Sequence, residues 1–120
     1  MDLPTSSAGA GVAMADDVLL AISTFPDAET ATRISRQLVT DKLVACANIG
    51  APVQSIYRWQ GKIEEAHETM VFFKTTAARF DAFQAALRSL HPYDVPEVVA
   101  LRVADGLPEY LRWVADSCAT

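Results

Sequence analysis

Two cysteines and two histidines are the side chains of this 120-residue chain best suited to bind a soft metal ion. Cys46 lies in the apolar run LVACANI. As a thiolate it would favour copper(I) or zinc, above all with an imidazole brought near it by folding. A free cysteine in an apolar run is, however, more often a small buried hydrophobic side chain. Cys46 is therefore a candidate metal ligand that still needs two further donors.

His91 stands where a helical pattern gives way to a β-rich run. Pro92 disfavours the α conformation at His91, so the helix should end near Leu90, and Pro96 is compatible with the start of an edge strand. One interpretation is a helix-to-strand connection in which the imidazole has only a structural role. The other is that the turn exposes His91 and Tyr93 at the rim of the sheet, where loops carry binding sites. The pattern leaves both interpretations open.

A second group of donors lies on the segment EEAHET. Two-residue alternation along a strand places His67 on one face with Glu65 and Thr69, and Glu64 and Glu68 on the other. Carboxylates and an imidazole suit hard or borderline cations. The alternative is a solvated, charged strand edge. His67 and Glu68 are therefore weaker metal candidates.

Aromatic side chains alternate along SIYRWQGK, with Tyr57 and Trp59 on one strand face and Arg58 on the other. Aromatic residues on one face most often belong to a core or a subunit interface. They would otherwise wall a small-molecule cleft in which Lys74 contacts an anion. For Lys74 the alternative is a side chain that extends to water from the end of an apolar strand.

Charge and missing motifs exclude several classes of function. The net charge is −5, and the sequence has no basic cluster of the kind that binds nucleic acid. The signature motifs of P-loop, dinucleotide-binding, zinc-protease and serine-hydrolase sites are absent. No nucleophile, base and orienting residue can be named together, so we predict that the protein is not an enzyme.

Cysteine spacing and hydropathy predict a cytoplasmic protein. Cys46 and Cys118 form no C-x-x-C pair and no zinc-type spacing, which favours free thiols in a reducing compartment. Residues 1–17 have neither the basic region nor the apolar stretch of a secretory signal, and no later stretch is long enough to span a bilayer. Met14, in the motif MADD, offers an alternative translation start that the mass of the native protein would test.

The elements that must position these residues follow from hydrophobic periodicity and turn signals. We predict a disordered tail at residues 1–16 and a single domain at residues 17–120. The predicted elements are a strand at Val18–Thr24, a helix at Asp27–Lys42 with apolar positions Ala31, Ile34, Leu38 and Val39, a short run at Leu43–Ile49, a long hairpin at Val53–Thr75 turning at Gln60-Gly61, a helix at Thr76–Leu90, a strand at Pro96–Val103 and a helix from Pro108. The order βαββαβ with an added helix predicts an α+β, ferredoxin-like fold.

The strand sequences predict a homo-oligomer. VLLAI, LVACA, TMVFF and EVVAL are apolar at consecutive positions rather than alternating, so both faces of the sheet should be covered. The chain has too few helices to cover the second face. The long hairpin also presents an edge that a soluble protein must occupy or blunt. A second subunit would do both.

Three motifs, in this order and at these separations, make the chain resemble the CutA family of divalent-cation tolerance proteins. They are LVACANI, then YRWQGKIEE with FKT, then HPYDVPE, and the resemblance covers residues 18–115. It implies a tight homotrimer similar in architecture to the PII signalling proteins, tolerance to copper and other divalent cations, and no defining enzymatic activity. The family's cysteine and histidine fall on Cys46 and His91, which makes them the candidate copper ligands. Tyr57, Trp59, Lys74, Tyr93 and Glu97 match the family's pocket and interface pattern without an assigned role.

One departure and three hypotheses follow from the resemblance. Ala66 stands where relatives often have an acidic residue, which weakens the case for an acidic metal site on the hairpin. The leading hypothesis is a homotrimer that binds copper or another divalent metal ion, with no metal required for folding, and that contributes to metal homeostasis. The alternatives are a PII-like sensor of a small molecule or nucleotide, and a trimeric scaffold without a metal role.

Overall fold

The computed structural model describes residue 14 and residues 16–120 of the chain. The elements are β1 (Val18–Phe25), α1 (Ala28–Thr40), β2 (Cys46–Trp59), β3 (Lys62–Thr76), α2 (Phe80–Leu90), β4 (Val99–Arg102) and α3 (Pro108–Ser117). The predicted order, βαββαβ with an added C-terminal helix, is confirmed. The predicted tail at residues 1–16 lies outside the described residues except for positions 14 and 16. None of the helices in the described part of the chain is long and apolar enough to cross a membrane.

The four strands form one antiparallel sheet in the order β2-β3-β1-β4. β1 lies in the middle, where Ile22 is opposite Phe72 of β3 on one side and Val99 of β4 on the other. β2 and β3 form the predicted long hairpin, whose turn residues Gln60 and Gly61 have positive φ angles of 50° and 81°. Two successive left-handed residues give the hairpin turn that matches the twist of the strands. This arrangement confirms the ferredoxin-like α+β prediction.

The largest differences from the predicted boundaries are in β2, α2 and β4. Most of the predicted run at Leu43–Ile49 and the first arm of the predicted hairpin form one strand, because β2 continues from Cys46 to Trp59 through a register shift between Ile49 and Pro52. α2 begins at Phe80 rather than Thr76, because Thr76 still pairs with Val18 as the last residue of β3. β4 has only 4 residues, which pair with β1.

The core lies between the sheet and the two helices α1 and α2. Asp27 caps the N-terminus of α1, and its side chain accepts a hydrogen bond of 2.7 Å from the backbone N–H of Thr30. This is the ordinary N-cap arrangement. The prediction that Val39 belongs to the apolar stripe of this helix was wrong: it is exposed, and the buried face has Ser35 as its fourth member. The buried core consists of Ala21, Phe25, Ala31, Ile34, Leu38, Leu43, Val44, Val71, Phe73, Phe83 and Leu87.

The described residues of a single chain leave the opposite face of the sheet mostly uncovered. Because side chains alternate along a strand, the neighbours of the core residues Ala21 and Phe73 point away from α1 and α2. Cross-strand pairing aligns these outward side chains in two rows, Cys46–Lys74–Leu20–Leu101 and Asn48–Phe72–Ile22–Val99. They are half-buried or exposed. α3 packs over one end of this face, where Val114 and Cys118 contact Val18 and Ala45. The eight side chains of the two rows are called the open face below.

Ser35→Ala is expected to stabilise the chain. The Oγ atom of Ser35 is buried and has no hydrogen-bond partner among the described residues. A buried hydroxyl without a partner costs about 1–3 kcal/mol, and alanine is the better helix former. We expect the free energy of unfolding, measured by urea denaturation, to rise by about 0.5–1 kcal/mol. Ser89→Ala, at an exposed position of α2, is the control for helix propensity alone. A loss of stability in Ser35→Ala would contradict the prediction.

Candidate ligand-binding residues

His91 lies at the end of α2, and its imidazole forms hydrogen bonds with two backbone groups. Its own backbone is extended, with φ −74° and ψ 138°, as Pro92 predicted. Nδ1 lies 3.1 Å from the backbone nitrogen of Tyr93, and Nε2 lies 2.7 Å from the carbonyl oxygen of Thr24. The backbone N–H can only donate, so Nδ1 accepts, and Nε2 carries the proton and donates to Thr24. A metal ion at His91 would have to displace one of these bonds.

The imidazole is buried, which contradicts the interpretation that the turn exposes His91 at the rim of the sheet. Its exposed fraction is 7%. The ring stacks on Phe25 with centroids 4.7 Å apart and has the ring of Tyr93 at 4.6 Å. The backbone turn brings the ring back onto the end of β1, where it fills space between these side chains. The contacts support the interpretation that the imidazole of His91 has a structural role in the helix-to-strand connection.

The stability of the chain is expected to fall with acidification because of His91. Burial lowers the pKa of His91, and this effect outweighs the opposing effects of Thr24 and Glu68. A histidine in the unfolded chain titrates near about pH 6.5. The unfolded state therefore takes up the proton first, and the contribution of His91 is complete above that pH and decreases below it.

The measurement is the free energy of unfolding at pH 7.5 and pH 5 for the parent and for His91→Gln. The parent should lose more stability than the variant between the two values. An equal loss in both proteins would contradict the assignment of the acid sensitivity to His91.

The weaker metal candidates on the hairpin are not brought together. His67 is exposed and lies opposite Gln54, whereas Glu68 is half-buried and points to the other face of β3. The carboxylate of Glu68 accepts a hydrogen bond of 2.8 Å from the hydroxyl of Tyr93. Burial, and then this bond, raise the pKa of Tyr93. The bond joins the turn after α2 to the body of the hairpin.

Cys46 lies on the open face beside α3. Its Sγ atom is 3.8 Å from the hydroxyl of Tyr110, and its direct cross-strand partner is Lys74. Lys74 donates a hydrogen bond from Nζ to the side-chain oxygen of Asn48. The ring of Tyr110 lies 5.6 Å from that of Trp113. No sequence pattern associates Tyr110 with Cys46, because the two are 64 residues apart.

Cys46 and His91 are not neighbours within one chain. His91 binds the carbonyl of Thr24, which is opposite Met70, whereas Cys46 is opposite Lys74. Four residues along β3 correspond to about 13 Å. In the part of the chain that the structure describes, no group of three or more histidine, cysteine, aspartate or glutamate side chains is arranged to hold a metal ion.

The predicted aromatic pocket is also not formed within one chain. Trp59 is next to the hairpin turn and Tyr57 lies opposite Glu64, ten residues from Lys74 along β3. Both aromatic side chains are exposed, as is Glu97. Any site that combines Tyr57 or Trp59 with Lys74 would therefore need a second copy of the chain.

Comparison with known proteins identifies the family of the chain. Residues 19–117 match the model of the family described as CutA1 divalent ion tolerance protein. The divalent-cation tolerance protein CutA of Thermus thermophilus is 44% identical over 94 residues, which cover 78% of this chain and 91% of that protein. Protein CutA of Mus musculus is 40% identical over 111 residues, or 92% of this chain and 62% of the mouse protein. The crystal structure of CutA from Xylella fastidiosa superposes with a TM-score of 0.84 at 45% identity and covers 86% of this chain and 99% of that one.

Proposed function

The chain belongs to the family of CutA1 divalent ion tolerance proteins, and from this premise we propose that it is a homotrimer that contributes to divalent-cation tolerance by binding copper or another divalent metal ion. The proposed role is non-enzymatic, and the proposed compartment is the cytoplasm. The trimer would resemble the PII proteins in architecture. The observation that carries the proposal is Cys46, a thiol placed on the open face of the sheet.

Assembly is supported by the apolar character of the open face. Leu20, Ile22 and Phe72 are only half-buried in one chain, and Leu101 and Val99 are 58% and 49% exposed. Burying such side chains contributes about 25 cal/mol per Å² of apolar surface removed from water. Contiguous exposed apolar surface of this kind marks an interaction site.

The exposed arm of the hairpin supports assembly in the same way. Ile56 and Ile63 are 65% and 60% exposed, and Trp59 is 52% exposed. An unpaired edge with exposed apolar side chains is a template for contact with another chain. Neighbouring copies in the proposed trimer cover these residues.

The metal proposal depends on donors that one chain does not supply. Cys46 is a soft donor, but a copper(I) or zinc site needs additional ligands. In a trimer the open faces meet other copies of the chain, and donors from more than one copy complete the site at Cys46. His91 is the second candidate, and its use requires the loss of one of its two hydrogen bonds.

A copper(I) titration of the reduced protein against a competing chelator tests the proposal. Cys46→Ser is compared with Cys118→Ser, which removes a thiol from the interior beneath α3. His91→Ala is compared with His67→Ala. We expect saturable binding of copper(I). Cys46→Ser should lower the affinity by at least about tenfold, because a soft donor is lost. Cys118→Ser should leave the affinity unchanged. Sedimentation of each sample checks that the assembly persists. Binding that is absent, or unchanged in Cys46→Ser and His91→Ala, would reject the metal site.

A second candidate, a PII-like sensor of a small molecule, is favoured by Lys74. Its ammonium lies on an otherwise mostly apolar face and makes no ion pair with a carboxylate among the described residues. Thermal-shift screening against nucleotides and organic anions tests this candidate. Stabilisation of the parent by a member of the panel supports a sensor, and no hit across the panel counts against it. A scaffold would give a signal only in partner pull-down experiments.

A further inference from the structure

A cavity of about 410 Å³ lies at one end of the sheet, between the start of α2 and the end of α3. Its volume is within the usual range for pockets that bind small molecules. None of its described lining residues belongs to the open face, so the cavity is separate from the rows of side chains that the proposed trimer covers. We propose that this cavity binds a free α-amino acid with an aliphatic side chain. The proposal goes beyond the metal role and does not depend on it.

The hydroxyl of Thr76 is a polar group of the cavity that lacks a partner. Thr76 ends β3, lines the cavity and is 3% exposed. Its side chain makes no hydrogen bond within the part of the chain that the structure describes. Among the described residues, the fully enclosed hydroxyls without a partner are those of Ser23 and Ser35, and Thr76 is not one of them. Its hydroxyl therefore reaches the cavity, where a ligand can supply the partner that a buried polar group requires.

The start of α2 makes one wall of the cavity positive. Ala78 and Arg79 line this wall, and Arg79 is the N-cap of α2 but forms no side-chain capping bond. The N-terminus of a helix attracts anions through its free N–H groups. The guanidinium of Arg79 donates to the backbone carbonyl oxygens of Asp41 and Lys42, which holds its charge in place, and it keeps further N–H donors. A ligand carboxylate at this wall can accept hydrogen bonds from Arg79 and Thr76.

The end of α3 makes another wall of the cavity negative. Asp116 lies in the last turn of α3, and Asp16 lies just before β1; both line the cavity. Neither carboxylate makes an ion pair with another described residue. The last turn of α3 contains no basic residue, and the free carbonyl groups at a helix C-terminus attract cations. An ammonium group matches this wall.

The two walls together favour a ligand that carries both charges. A simple anion would meet the carboxylates of Asp16 and Asp116, and a simple cation would meet the guanidinium of Arg79. An α-amino acid carries a carboxylate and an ammonium group on the same carbon atom, so each charge can face the wall that attracts it. Three further lining residues are alanines, at positions 78, 115 and 119. Their methyl groups favour an aliphatic side chain.

An NMR titration of the isotope-labelled protein with L-leucine tests the proposal. Two probes of similar shape each lack one charge: 4-methylpentanoate has no ammonium group, and 3-methylbutylamine has no carboxylate. The backbone amide signals of Arg79 and Asp116 report binding in the cavity, and the signal of Leu101 reports binding on the open face.

We expect L-leucine to bind saturably and at least about tenfold more tightly than either probe, because each probe lacks one charged hydrogen-bonding group. The signals of Arg79 and Asp116 should shift during the titration, and the signal of Leu101 should not.

Two variants assign the charges of the ligand to the two walls. Thr76→Val keeps the shape of the side chain and should reduce the preference for L-leucine over 3-methylbutylamine by at least about threefold, because the carboxylate loses a donor. Asp116→Asn should reduce the preference over 4-methylpentanoate by a similar factor, because the ammonium loses its counter-charge. Asp105→Asn, at an exposed position outside the cavity, is the control and should change neither preference. Circular dichroism and sedimentation check that each variant is folded and assembled as the parent is.

A lack of saturable binding of L-leucine, or shifts confined to the open face, would overturn the proposal. So would equal affinity for 4-methylpentanoate, which indicates a plain anion site, or for 3-methylbutylamine, which indicates a plain cation site. Preferences that are unchanged in both Thr76→Val and Asp116→Asn would place the ligand elsewhere and would also overturn it. The copper(I) titration depends on none of these residues, so the metal proposal and this site can fail separately.

Discussion

Phe73→Ala is expected to lower the free energy of unfolding by about 3–5 kcal/mol, the usual cost of removing a fully buried phenylalanine. Phe73 is 0% exposed and makes edge contacts with the rings of Phe25 and Phe83, at centroid distances of 6.5 Å and 5.2 Å. Alanine would leave a cavity between the sheet and the two helices that cover it. Urea denaturation, followed by circular dichroism at several protein concentrations, measures the loss.

Phe72→Ala is the matched control because Phe72 is the neighbouring residue on the opposite face of β3. It belongs to the open face, is only half-buried in one chain and pairs with Ile22 across the sheet. Its replacement should weaken the assembly, seen as a smaller sedimentation coefficient at low protein concentration, with less effect on the fold of the chain. If Phe72→Ala destabilised the chain as much as Phe73→Ala and left sedimentation unchanged, the two faces would have been assigned wrongly.

His91→Ala is expected to lower the free energy of unfolding by about 2–4 kcal/mol, since it combines a lost ring in the core with two hydrogen bonds. The carbonyl of Thr24 and the N–H of Tyr93 would both lose their partner. The gap beside Phe25 would add the cost of lost packing. Thermal or urea unfolding at pH 7.5 measures the effect, because the imidazole is neutral there.

His67→Ala is the control for His91→Ala, because His67 is an exposed histidine on β3. It should change the free energy of unfolding by less than about 0.5 kcal/mol, as is usual for a surface substitution. A near-zero effect of His91→Ala would show that the turn after α2 does not depend on the imidazole. The ligand interpretation of His91 would then be favoured over the structural one.

Helix and strand identity could be predicted because each depends on neighbouring residues. Asp27, where the predicted helix begins, is the N-cap of α1, and Pro108 begins α3 as predicted. Gln60 and Gly61 form the hairpin turn. The boundaries that were wrong, such as the start of α2, depend on pairing with a distant strand. Thr76 remains in β3 because Val18 is available to pair with it, and no local pattern contains that information.

The role of His91 shows the limit of sequence reasoning at the site. Pro92 predicted the extended backbone at His91, but not that the ring would turn inward onto Phe25 and Thr24. That contact joins residues 67 positions apart. The contact of Cys46 with Tyr110 was missed for the same reason, since it depends on how α3 packs against the end of the sheet.

The sequence alone predicts the order of the elements, the two-sided apolar character of the strands and the family. These properties follow from hydrophobic periodicity, turn residues and short motifs, and each of these signals lies within a few neighbouring residues. Which of the candidate residues meet depends on the tertiary structure. It separated Cys46 from His91 and placed Lys74 beside Asn48 on the open face. The physical reason is that strand register and helix packing fix distances between residues far apart in the chain, and side-chain type alone does not.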